Sequence, residues 1–170
     1  MNRRRILSLS AIIALGLTLL PGSGVAQQKT LKEQLVGTWT LVSFDSFDSS
    51  GAKVPNMEGG DLKGLLIFTD NGHMSNQMIA QFPKIASSDR LKSTPAEEKA
   101  VAHGILSYFG SYTVSEPEKT IMLNIERSSF PNQAASNVKR VATLTGDELK
   151  IDNPGRQAGG RTVTVWRRAK

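Results

Sequence analysis

The 170-residue sequence predicts an all-β fold: an eight-stranded antiparallel up-and-down barrel with one inserted helix. Three observations predict it. Short runs of β-branched and aromatic residues recur along the chain. Clusters of Gly, Asn, Asp and Pro separate them, and a single stretch carries a strong helix-start signal. Short antiparallel strands in chain order suit a closed sheet, because closure removes unpaired edges. A sandwich accounts for the strand count nearly as well. Eight strands leave an interior that side chains fill or that holds one small ligand.

The elements follow in order. Arg3, Arg4 and Arg5 precede an apolar run from Ile6 to Leu20, then Pro21 and the small residues Gly24-Val25-Ala26. This pattern predicts a signal peptide over residues 1–26, cleaved after Ala26, and a periplasmic or secreted protein. The apolar run is too short to read as a spanning helix, so no integral membrane segment is expected in the mature chain. The Arg3-Arg4 pair resembles a twin-arginine signal, but basic leaders are common and the Sec route is preferred. Residues 27–36 form a polar lead-in with a helical turn around Leu31 and Leu35, and residues 37–170 form the barrel domain.

Residues 38–44 read as the first strand, 45–61 as a long loop, 64–69 as the second strand and 73–79 as the third, across an Asp70-Asn71-Gly72 turn. Thr94-Pro95-Ala96-Glu97 combines a capping Thr, Pro at the first helical position and Glu three residues after the cap. Ala100, Val101, Gly104, Ile105, Tyr108 and Phe109 then fall at helical spacing, which predicts a helix from Pro95 to about Phe109. Its apolar stripe needs cover, either on the outer wall of the barrel or as a lid over its mouth. Strands resume at 111–115, 120–127, 137–144, 148–152 and 162–166.

Charge and cysteine content exclude several functions. The whole chain carries 21 Lys and Arg against 15 Asp and Glu; without the three arginines of the leader, 18 face 15 and the mature net charge is +3. The high isoelectric point is therefore a poor argument for nucleic acid, and no nucleic-acid partner is expected. Lys139 to Lys170 holds eight of the basic residues and three of the acidic ones, a basic C-terminal face. The absence of cysteine excludes a disulfide scaffold, thiolate catalysis, a cysteine zinc site and a lipid-anchored lipoprotein. His73 and His103 stand thirty positions apart with no carboxylate at ligand spacing, so neither a metal nor another cofactor is expected. There is no Gly-x-Ser-x-Gly elbow, and residues 153–160 lack the Gly-Lys-Ser/Thr ending of a phosphate loop.

Strand periodicity leaves two assignments of the inner face open. In one, polar faces point inward, and Glu126 meets Arg140 with Ser75, Gln77 and Asn124 around them. Such a cluster would orient a ligand bearing a carbonyl, hydroxyl or carboxylate. In the other, ordinary patterning puts the Ile and Leu residues inside and those polar residues in solvent. The candidate site takes Ser75, Gln77, Asn124, Glu126 and Arg140 from the first assignment and adds Trp39 and Tyr112.

Gly37-Thr38-Trp39 at the start of the first strand resembles the Gly-x-Trp signature of lipocalins and the wider calycin group. That resemblance implies a Trp39 packed at the closed end beneath an arginine from the end of the last strand, here Arg167 or Arg168. Residues 35–44, 63–69, 72–77, 94–97, 108–112 and 126–132, in that order, resemble the bacterial and fungal lipocalin-like domain proteins. Asn124 and Gln133 depart from the His and Trp frequent there. The resemblance implies the barrel and names no activity. Three functions follow as expectations: a monomer binding a small, mostly apolar molecule without chemistry; an isomerase or cyclase using Glu126 or Asn124 with Arg140; or a filled barrel docking a partner through its basic face.

Overall fold

Residues 29–170, apart from 56 and 157, are described by a computed structural model, so the expected leader lies outside the described residues. The strands are β1 (Gly37–Phe47), β2 (Lys53–Val54), β3 (Lys63–Phe68), β4 (His73–Ile79), β5 (Ile105–Ser115), β6 (Thr120–Ser128), β7 (Ser136–Thr145), β8 (Glu148–Asn153) and β9 (Arg161–Arg168). The helices are α1 (Leu31–Leu35) and α2 (Pro95–His103). Every neighbouring pair is antiparallel, in the order β1-β3-β4-β5-β6-β7-β8-β9, and β9 returns to β1. The sheet is therefore a closed eight-stranded barrel, with the short β2 added to the end of β1.

Two elements differ from the sequence expectation. Part of the long loop after β1 is itself paired, as β2. The helix is shorter than its stripe suggested: it stops at His103, and Ile105 to Phe109 extend β5. Gly104 ends it, donating its N–H to Ala100 O at 3.1 Å and Val101 O at 3.2 Å. A Cβ at Gly104 would overlap the Phe82 ring and the Glu58 carbonyl, so the chain turns where only glycine fits. Beyond it, Ile105-Leu106-Ser107-Tyr108-Phe109 is a β-favouring run, and it pairs residue by residue with β4 from Ile79 to Ser75. The capping box at the start is present, with Thr94 and Glu97 bonded reciprocally.

Short turns gather at one end of the barrel and long connections at the other. The closed end carries the turns at 69–72, 116–119 and 146–147, together with α1. Leu31 and Leu35 of α1 are buried against the core. Glu116, in the β5–β6 turn, accepts the N–H groups of Leu31 at 2.8 Å and Lys32 at 3.0 Å, tying the start of α1 to the barrel. Those backbone bonds hold the Glu116 carboxyl below the ordinary glutamate range. A lowered carboxyl value stabilises the fold above the ordinary range and loses that contribution as pH falls through the folded value. Glu116→Gln should therefore unfold at a temperature less dependent on pH than wild type, between about pH 3 and 7. Equal acid sensitivity in both proteins would rule this contact out as a source of it.

Candidate functional site

The strands alternate between an apolar inner face and a polar outer one. Met74, Asn76 and Met78 of β4, Ile121, Leu123 and Ile125 of β6, and Arg140 and Ala142 of β7 are buried. Ser75, Gln77, Asn124 and Glu126 are on the opposite faces, and Gln77, Asn124 and Glu126 are exposed. This corrects the polar-lumen assignment for those four residues. Once one residue of a strand is fixed inside, period two sends its neighbours out, and the Ile/Leu face of β6 goes in. Glu126 and Arg140 thus occupy different sides of the wall and do not pair.

The closed end is packed solid. The Trp39 side chain is fully buried, and its Nε1 donates to Leu35 O at 2.9 Å. Arg168 lies over the Trp39 ring, 4.1 Å from its centroid, and donates to Gln34 O at 2.6 Å and Val36 O at 3.2 Å. One guanidinium thereby covers the tryptophan and satisfies the last carbonyls of α1. Gly37, with φ +131°, leaves room for it, since a Cβ there would stand 3.2 Å from Arg168 Nη1. Arg167 points outward into solvent. Tyr112 is also buried; its hydroxyl donates to Thr69 O at 2.8 Å and its ring meets Phe68 edge-on at 4.8 Å. Trp39 and Tyr112 belong to this plug and do not line the space above it.

Above the plug the barrel is hollow. A cavity of about 540 Å³ is lined by Phe44, Leu66, Phe68, Met74, Met78, Ile121, Leu123, Val138, Ile151 and Trp166. That volume lies within the range of about 300–1,000 Å³ typical of small-molecule sites. The filled-barrel expectation does not describe this interior. At the mouth stand Met57, Ala102, His103, Phe130, Gln133 and Arg156, from the loops after β1, β4, β6 and β8. The end of α2 therefore borders the opening rather than the outer wall. His103 Nδ1 lies 2.8 Å from Glu58 Oε1, and Glu58 N donates to His103 O at 3.2 Å, joining two of those loops.

Polar groups interrupt the apolar wall at a few places. Arg140 is buried, 6% exposed, and its Nη1 donates to Asn153 Oδ1 at 2.8 Å and Lys139 O at 3.0 Å. The Tyr108 hydroxyl, on β5, interacts with the same guanidinium. Burial pushes the Arg140 value down and the neighbouring Tyr108 opposes this, while burial pushes Tyr108 up and Arg140 opposes it. Arginine stays charged regardless. The Nδ2 of Asn76 and the Oγ of Ser46, both on the cavity wall, have no hydrogen-bond partner among the described residues.

Of the expected site residues, then, only Arg140 lines the cavity. Sequence reasoning passed over Asn76, Tyr108 and Asn153. The first was signalled by its place between Met74 and Met78, and the second was hidden by its assignment to the helix. Among the described residues no group of three or more His, Asp or Glu gathers as a metal site, and no helix is long and apolar enough to cross a membrane.

A family model described as a lipocalin-like domain matches residues 36–169, which span the whole barrel. The chain belongs to the lipocalin-like domain family. Its Gly37-x-Trp39 start, Arg168 cover and closed end are the features that this lipocalin-like barrel builds beneath its cavity. No curated protein matches the chain.

Proposed function

We propose that this lipocalin-like protein is an exported, monomeric carrier that holds one small, mostly apolar molecule in its barrel. The observation that carries the reading is the cavity itself: about 540 Å³, walled chiefly by Met, Leu, Ile and aromatic side chains, and open between long loops. Apolar walls supply affinity by removing ligand surface from water, and the few polar groups fix orientation. Export rests on the leader pattern at residues 1–26. Binding is favoured over catalysis because Glu126, the carboxylate expected to act with Arg140, stands outside the barrel.

Native mass spectrometry of the mature protein from its own compartment, followed by organic extraction, tests the proposal. The expected result is a one-to-one adduct that partitions into organic solvent. A clean unliganded mass, together with no saturable uptake of apolar fluorescent probes, would overturn it.

A further inference from the structure

Arg140 specifies the ligand more narrowly. Resting on the carrier reading above, we propose that the cavity takes a monocarboxylate: an apolar molecule whose acid group sits against Arg140, with the Tyr108 hydroxyl beside it.

The guanidinium is 6% exposed, yet no ion pair reaches it among the described residues. Residues 1–28, 56 and 157 contain no Asp or Glu, so none of them can supply the missing charge. No carboxylate lines the cavity either; its ionisable side chains are Arg140, Tyr108, His103 and Arg156. A buried cation without a counter-ion is costly, and a bound anion removes that cost. The wall fixes the group in place through Nη1, which donates to Lys139 O and Asn153 Oδ1. Of the five guanidinium N–H donors, others remain to meet a carboxylate in the planar, forked geometry that this pair favours. Asn76 offers a further donor, the unpartnered Nδ2, on β4 next to Tyr108 in register.

The charge count selects the acid. One buried guanidinium balances one negative charge, whereas a dianionic phosphate would bring a second into an apolar enclosure. The basic Arg156 at the mouth adds attraction for an entering anion of either kind and does not discriminate.

The test is calorimetric titration of the mature protein with dodecanoic acid, methyl dodecanoate and dodecyl phosphate at neutral pH. The acid is expected to bind at least about tenfold more tightly than the ester. In Arg140→Met the two should bind within about threefold of each other, and a cooperative thermal unfolding transition shows the variant folded. Tyr108→Phe keeps the guanidinium and should weaken the acid alone by a smaller factor. Acid and ester binding equally well to wild type would overturn the carboxylate proposal and leave the carrier reading standing. So would a phosphate that binds as tightly as the acid, or an Arg140→Met protein that keeps the preference. Failure of all three probes to bind would count against the carrier reading itself.

Discussion

Trp39→Ala is expected to lower the free energy of unfolding by about 4 kcal/mol, the middle of the range for truncating a buried aromatic residue. The ring is fully buried where β1 leaves α1. Its loss opens a void, and the surrounding strands, locked in a closed barrel, have little freedom to collapse into it. The Leu35 carbonyl loses its indole donor, an additional cost because the group is buried. Arg168 loses the face it lies on while still bonded to Gln34 O and Val36 O. Urea unfolding of wild type and variant measures the difference. A change below about 1 kcal/mol would mean that the closed end relaxes freely and that the tryptophan is not what holds α1 in place.

The barrel was legible because closure leaves a repeated local record. Alternating runs mark the strands, and Asp70-Asn71-Gly72 and Gly146-Asp147 mark tight turns. Strand β4 runs from His73 to Ile79, the span that its pattern indicated. The end of α2 was less legible. Ala100, Val101, Gly104, Ile105 and Tyr108 satisfy helical spacing, while Leu106, Tyr108, Gly110 and Tyr112 satisfy strand spacing over the same stretch. Local sequence does not choose between them. Pairing with β4 and the crowding of Phe82 against Gly104 do, and both are long-range contacts.

The site was harder to read for a related reason. Facing has two solutions per strand, and for β4 and β6 the structure takes the apolar one. The Ile/Leu face of β6 buries because apolar area, not the number of polar side chains, decides which side enters the core. Arg140 is the exception that patterning alone handles poorly: it shares its face with Val138 and Ala142, an apolar row into which a charge is not expected to go. A charge among apolar neighbours on one strand face is the local signal that pointed to the cavity, whereas Glu126 pointed away from it.

In the absence of ligand, Arg140→Met is expected to stabilise the protein, by about 1–3 kcal/mol. The sign follows from what each side chain leaves behind. Wild type holds a buried guanidinium with no carboxylate near it among the described residues, and desolvation of that charge opposes folding. The substitution removes the charge and keeps an unbranched, flexible side chain of similar reach. Asn153 Oδ1 retains a donor, Gly155 N at 3.2 Å, so losing the guanidinium does not orphan it. The Tyr108 hydroxyl lines an open cavity where water can take the place of Arg140. Thermal and urea unfolding of the unliganded proteins measure the change. A loss of more than about 1 kcal/mol would instead make Arg140 a structural strut, holding the end of β8 and the mouth loop through Asn153. A gain in stability joined to a loss of acid preference would mark Arg140 as a residue whose cost is tolerated for binding.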